Sequence, residues 1–354
     1  MNSATLHSFG IGLATKNSRN DIIEVFYPQP TVKPTQELCN AIMDACSFES
    51  GVNGYQEIST NTQNVLRSAI EAADDPTVFD STCELLRSYE NDEDTSQCLI
   101  ICILSTDTAP TTVPEAYFKL HLLSHRLAKP HSLNLDGLFA VLVNLAWTNQ
   151  GPIDIADLPH KQLEARLKNE LLEVMSVDKF PKMTNYIVPT GVRIAHTARV
   201  RLGAYIGEGT TVMHEGFVNF NAGTEGPAMI EGRISAGVMV GANSDLGGGC
   251  STMGTLSGGG TEIITVGQNC LIGANAGIGF PLADGCIIEA GLYVTAGTKV
   301  KLLNNKGEIE KTLKAKELAG ICNLLYRRNS ISGAVECIPL KGTVSLNEEL
   351  HSHN

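Results

Sequence analysis

The chain has 354 residues, of which 43% are hydrophobic and 18% charged, enough for two domains or for one core with large appendages. Its net charge of −12 excludes non-specific attraction to nucleic acid or to an anionic membrane surface, so an anionic substrate would need a locally basic pocket. The longest apolar run, residues 98–104, is too short to cross a bilayer; no basic and apolar leader opens the chain, and ten cysteines without a C-x-x-C pair suggest the reduced thiols of a cytoplasmic protein.

Residues 1–110 read as an α/β region. Val65, Leu66 and Ile70 sit in a polar stretch at helical spacing, and residues 98–104 read as a buried strand. Residues 111–185 read as a helical connector. Pro114 opens a helix over 115–127, where the missing N–H costs nothing in the first turn. A second helix follows Pro159 with Leu163, Leu167 and Leu171 on one face, and Lys179-Phe180-Pro181 ends it. His121 and His125 lie one turn apart on the first helix. Without a third ligand they suit a structural role, or the holding of a substrate carboxylate, better than a metal.

From Val188 the period changes to six. Ile194, Val200, Ile206, Val212 and Val218 keep this step, Thr224 holds the phase, and Ile230 closes the run. The phase resets at Ile234, Val240 and Leu246, resumes at Val266, Ile272 and Ile278, then at Leu282, Ile288, Val294 and Val300. Small residues follow four positions later, and glycine often comes next, as at Gly207, Gly241, Gly267 and Gly273. Six is neither a helix period nor a two-sided strand alternation. It fits a parallel β-helix in which each short strand sends one aliphatic side chain inward and small residues fit the corners. Residues 186–302 form this domain, with roughly six coils at three hexads each, and 303–354 a C-terminal extension. The competing reading, a glycine-rich β-sandwich, would leave the regular spacing an accident. Handedness does not follow from the period.

Three features carry chemistry. Glu231 occupies a glycine-flanked corner beside Arg233, where a carboxylate can act as a base or a nucleophile. Residues 247–260 interrupt the hexads with a glycine-rich stretch able to offer backbone N–H groups to a ligand, although no Gly-Lys-Ser/Thr of a nucleotide P-loop follows. Lys314, Lys316, Arg327 and Arg328 make a basic section in an acidic chain, suited to phosphates.

The strings 214–224, 230–235, 247–260 and 327–330 resemble the longer type of tetrahydrodipicolinate N-succinyltransferases, a hexapeptide-repeat family, and the likeness extends to 115–130 and to the ending 346–350. The resemblance implies a left-handed coil and a homotrimer with active sites between neighbouring β-helices. It implies succinyl transfer from succinyl-CoA to the amine of opened tetrahydrodipicolinate (2-amino-6-oxopimelate), in diaminopimelate and lysine biosynthesis. It further implies that Glu231 is the reacting carboxylate, proposed in the family to form an acyl anhydride. Arg233, Gly248, Ser251, Ala274, Glu289, Ala290, Gly297, Lys314, Arg327, Arg328, Asn329 and Ser330 match positions that bind the CoA substrate. Glu215 matches a Mg2+ ligand near the trimer axis, although the partner position is Ala198 here.

Alternatives are another hexapeptide-repeat CoA acyltransferase and a non-enzymatic solenoid scaffold. A γ-class carbonic anhydrase needs three zinc histidines, and the repeat region offers only His196 and His214.

Overall fold

A computed structural model describes residues 6–46, 48–49, 51–73, 79–90, 96–254 and 263–340. The chain divides into two compact units, one of residues 1–127 and 132–181, the other of residues 128–131 and 182–354. No described helix is long and apolar enough to cross a membrane.

In the first unit the apolar run predicted as a strand becomes β5 (Gln97–Leu104), whose last six residues are all buried. It lies between β1 (Ser8–Lys16) and β4 (Gly54–Glu57), both antiparallel to it; β2 (Ile22–Phe26) and β3 (Thr31–Val32) pair with β1. Both faces of this sheet are covered, which explains the continuous apolar pattern of β5. On one side Phe9, Ile11, Leu99, Ile101 and Ile103 pack with Leu38 and Ile42 of α1 (Gln36–Ala45), Leu66 and Ile70 of α2 (Thr60–Glu71), and Cys83 and Leu86 of α3 (Asp80–Ser88). The other side receives α4 (Val113–Ser124), which starts with a Thr112/Glu115 capping box and Pro114 in its first turn. Gly10 allows this approach, because a Cβ there would stand 2.6 Å from the Phe118 ring.

The stretch 111–185 departs from the expected helical connector. After α4 and the short α5 (Leu138–Val141) come β6 (Leu145–Thr148) and β7 (Gly151–Asp154), then α6 (Leu158–Leu167) and β8 (Val174–Asp178), with β6 central in an antiparallel sheet. The second helix therefore ends at Leu167, not at Lys179. Asn169 adopts φ 58°, a left-handed stop that the helical spacing of Leu171 concealed. Leu163, Leu167 and Leu171 are exposed, so their shared spacing marks no buried face in this chain. Most of the stretch, residues 111–127 and 132–181, belongs with the first unit, and its helix α4 is part of the N-terminal sheet's own packing.

The second unit is a left-handed parallel β-helix. Its first face stacks Arg193–Ile194, Thr210–Val212, Ala228–Ile230, Ser244–Leu246, Leu271–Ile272 and Ile287–Ile288; its second stacks Phe217–Val218, Arg233–Ile234, Ser251–Thr252, Gly277–Gly279 and Tyr293–Thr295. The third stacks Ala204–Ile206, Ala222–Thr224, Met239–Val240 and Thr265–Val266. Apart from half-buried Ile194, every residue of the sixfold series is buried inside the coil. Thr224, the polar member, bonds internally: its hydroxyl lies 2.8 Å from that of Thr210 and accepts the Gly207 N–H at 3.0 Å. Left-handed corner residues alternate between glycine and asparagine, with Gly203, Gly237 and Gly249 doing the same work as Asn221, Asn243, Asn269 and Asn275.

The stretch 247–260 is not one loop. Residues 247–250 form an ordinary corner and Ser251–Thr252 an ordinary strand, paired with Arg233 below and with Gly277 and Ile278 above. Residues 255–262 and the ending 341–354, where part of the family likeness falls, lie outside the described residues.

The extension closes the solenoid with two hairpins. Lys299–Leu303 pairs with Ile309–Lys314, and Leu324–Arg328 with Val335–Pro339, while Leu324–Arg328 continues the first face beside Ile287–Ile288. Tyr326 covers the last coil, edge-on to Phe280 at 5.6 Å.

Candidate active site

The phase reset in the sequence has a structural meaning. Elsewhere the corner from the first face to the second takes six residues, as from Val212 to Val218 and from Leu246 to Thr252; from Ile230 to Ile234 it takes four. Gly249, Asn275 and Gly291 supply left-handed residues to the three corners that follow, and residues 231–233 have no counterpart. The short corner leaves a notch beside longer neighbours. A cleft of about 390 Å³ lies there, lined by Arg199, Glu215, Phe217, Gly232, Arg233, Gly249 and Cys250.

Glu231 stands at this notch. Its N–H donates to the Leu246 carbonyl at 2.8 Å and its own carbonyl accepts the Gly249 N–H at 3.2 Å, so the backbone is fixed to the next coil. Its half-buried carboxylate has no hydrogen-bond or ion-pair partner among the described residues, and a Cβ on Gly248 would lie 3.5 Å from Oε2. The Gly248 N–H likewise has no acceptor among the described residues. Burial, reinforced by the Glu231 charge, pushes the Cys250 thiol up to about 12. It stays protonated at neutral pH and is no rival nucleophile.

Strand register gathers the predicted residues along one edge. Ala195, Met213, Glu231, Gly247, Gly273 and Glu289 each donate an N–H to the coil above, making one column of corners in which Gly248, Ala274 and Ala290 are the next residues out. On the adjoining face Phe217, Arg233, Ser251, Gly277 and Tyr293 are directly paired in one row. The Arg233 guanidinium and the Ser251 hydroxyl have no partners among the described residues. The Tyr293 ring lies over Gly277, where a Cβ would collide with it, and so flanks Ser251. Gly297 lies at the far corner of the last coil, where the Ala315 N–H donates to Thr298 and the Lys316 N–H to Ala296.

The basic section divides by function. Arg327 points Nε and Nη2 at Oε2 of Glu336, both at 3.1 Å, and the other Glu336 oxygen accepts from the Asn329 amide at 2.8 Å. Asn329 also builds the hairpin tip, its Oδ1 accepting the N–H groups of Ile331 and Ser332. Glu289 is a backbone anchor, accepting the Arg328 N–H at 2.7 Å. Arg327, Asn329 and Glu289 are thus committed internally, while Ser330 and Lys314 are exposed. Exposed Lys299 and half-buried Lys301, which the sequence reading missed, lie nearby: Lys299 pairs in register with Lys314, and Lys301 with Glu336. Their signal was two lysines flanking the inward Val300. Arg199, Phe217 and Cys250 of the cleft were also missed, because none stands out until neighbouring coils are stacked.

The expected metal ligand, Glu215, lines the cleft on the coil before Glu231. Glu215 is exposed and approached by His214 Nδ1 at 3.2 Å, and His214 meets His196 edge-on at 5.4 Å. No group of three or more His, Cys, Asp or Glu side chains able to hold a metal occurs among the described residues. With Ala198 in the partner position, the residues of this chain do not fit a Mg2+ site by themselves. His121 is structural: Nδ1 faces the Tyr117 carbonyl at 2.8 Å and Nε2 accepts the Tyr27 N–H at 3.2 Å.

Comparison with known proteins finds relatives over nearly the whole chain. Residues 9–140 match the model of the tetrahydrodipicolinate N-succinyltransferase N-terminal region, 142–182 that of its middle region, and 263–296 the hexapeptide repeat of succinyl-transferase. The chain is 57% identical over 352 residues to the 2,3,4,5-tetrahydropyridine-2,6-dicarboxylate N-succinyltransferase of Pseudomonas putida, covering 99% of this chain and all of that one. Its counterpart in Vibrio cholerae is 51% identical over 347 residues, covering 98% and 99% of the two chains. A crystal structure from Campylobacter jejuni, assigned as a 2,3,4,5-tetrahydropyridine-2-carboxylate N-succinyltransferase, superposes with a TM-score of 0.86 at 31% identity, covering 95% of this chain and 93% of that one.

Proposed function

The chain belongs to the tetrahydrodipicolinate N-succinyltransferase family, and we propose that its chemistry is centred on Glu231 in the notch of the shortened corner. It is an acyltransferase that moves succinyl from succinyl-CoA to the amine of tetrahydrodipicolinate in its opened form, within the diaminopimelate and lysine pathway.

The reaction joins an amine nitrogen to a thioester carbonyl, expels the CoA thiolate and releases a proton from the ammonium group. An unpartnered carboxylate can take that proton, or can itself attack the thioester and pass the acyl group on. The observation that carries the reading is the closeness of the Glu231 carboxylate to Gly248 of the next coil, whose N–H has no acceptor among the described residues. A free N–H beside the reacting group is the donor a thioester oxyanion requires. Arg233 and Ser251 flank the acyl end, Ala274 and Ala290 leave room for the pantetheine arm, and Lys314, Arg328 and Ser330 serve the phosphates. Arg327, Asn329 and Glu289 act by fixing the hairpin that presents them, and Gly297 keeps the last corner open.

The open cleft along this edge supports assembly as a homotrimer, in which a second copy would complete the site. Ten free cysteines support a reducing, cytoplasmic setting. No step is assigned to Mg2+.

The test is turnover of succinyl-CoA and opened tetrahydrodipicolinate by wild type and Glu231→Gln, read by CoA thiol release. Loss of turnover in the variant is expected, and full activity there would overturn the assignment. Rapid quench of wild type with succinyl-CoA alone separates the roles, since only the nucleophile leaves an acylated Glu231.

A further inference from the structure

We infer that Arg199 is the carboxylate-binding residue for the amine acceptor, on the side of Glu231 opposite to the CoA donor. This rests on the function proposed above. Along the solenoid the donor residues run in one direction from Glu231: Gly248 and Ser251 on the next coil, Ala274 beyond it, then Glu289 and Arg328. The cleft, which touches Gly249 and Cys250 on the next coil, also extends the other way, to Glu215 and Phe217 on the coil before and to Arg199 beyond them. An acceptor whose amine meets the thioester at Glu231 has this space left to occupy.

Arg199 is built for a carboxylate. Its Nε donates to the Gly216 carbonyl at 3.1 Å and its Nη2 to the Glu215 carbonyl at 2.7 Å. Those two bonds use the side edge of the guanidinium and lock its plane against the neighbouring coil. The end edge, Nη1 with the second Nη2 hydrogen, has no acceptor among the described residues. A planar fork held by one edge and free at the other matches a carboxylate's two oxygens, at little further cost in side-chain order. Phe217 also lines the cleft, its ring centroid 5.9 Å from the Arg201 guanidinium, and adds an apolar surface for a methylene chain. The ligand class is a short aliphatic dicarboxylate bearing an amine.

Arg199→Lys keeps the charge and loses the fork. With both substrates varied, its KM for the acceptor should rise about tenfold or more, while its KM for succinyl-CoA stays within about twofold. An acceptor analogue with the carboxylate remote from the amine replaced by a carboxamide should bind wild type and variant alike. Equal increases in both KM values, an unchanged acceptor KM, or a defect that persists with the carboxamide would each overturn the inference. Calorimetric binding of pimelate to wild type and Arg199→Lys gives a readout without turnover: weaker binding by the variant supports the inference and equal binding contradicts it. Absence of succinyl transfer in the wild type would instead remove the proposed function, with the pimelate result still standing.

Discussion

Gly232 faces Cys250 across neighbouring coils so closely that a Cβ on the glycine would lie 2.6 Å from the cysteine's carbonyl oxygen and nearer still to its sulfur. This contact closes the four-residue corner that sets Glu231 apart from its counterparts. Gly232→Ala should therefore force the two coils apart, at a cost of about 1–3 kcal/mol for an overpacked core site. Succinyl transfer should fall steeply at temperatures where the variant is still folded. Calorimetric unfolding and an activity assay on the same sample check both parts.

Gly248→Ala tests the neighbouring position with the opposite expectation for stability. The added methyl would meet Glu231 Oε2 at an ordinary 3.5 Å, and the backbone there is not left-handed. The fold should tolerate it, with Tm unchanged or slightly raised by the lost freedom of the unfolded chain. The methyl would nevertheless stand over the free N–H that the thioester oxygen needs. A fall in kcat of about tenfold or more, with Tm preserved, is expected from loss of one oxyanion donor.

Glu336 was not a candidate in the sequence, yet it holds both Arg327 and Asn329. Glu336→Gln removes the charge that anchors Arg327 and should loosen the hairpin tip carrying Arg328 and Ser330. The expected signature is a several-fold rise in KM for succinyl-CoA, with kcat and the acceptor KM little changed. A drop in kcat alone would detach this network from donor binding.

What the sequence revealed depended on whether a residue's role is local. The inward positions were legible because burial imposes the same demand on every coil, and Val212, Ile230 and Leu246 repeat it. The break in phase at Ile230–Ile234 was visible too, although its consequence was not: a missing pair of residues becomes a notch only when coils with full corners lie on either side. Asn221, Asn243, Asn269 and Asn275 stood unread in the corners, because asparagine in the left-handed region resembles any polar loop residue until its φ is known. Glu336 and Arg199 were hidden for a third reason. Their partners lie 9 and 17 residues away, on strands whose pairing no local period predicts. In the connector the leucine spacing misled, since three leucines at helical intervals look alike whether the chain stays helical or turns at Asn169.

The buried pair His121 and His125 predicts how stability depends on pH. Their rings stack with centroids 5.8 Å apart. Burial, and for His121 also the neighbouring imidazole, pushes His121 down to about 3 and His125 down to about 4. In the unfolded chain both return to about 6.5 and take up protons that the fold refuses. Lowered folded values mean that stability is complete above pH 6.5 and declines as the pH falls toward 4. Between pH 7 and pH 5 each imidazole should remove about 2 kcal/mol, a range in which carboxylates contribute little because their unfolded values lie lower. His125 is the cleaner one to remove, since its Nε2 is buried without a partner among the described residues, whereas His121 holds the Tyr27 N–H. Urea unfolding of wild type should lose stability across that interval with a slope of about two protons, and His125→Gln with a slope of about one. Identical slopes in the two proteins would mean that His125 does not titrate on unfolding as its burial requires.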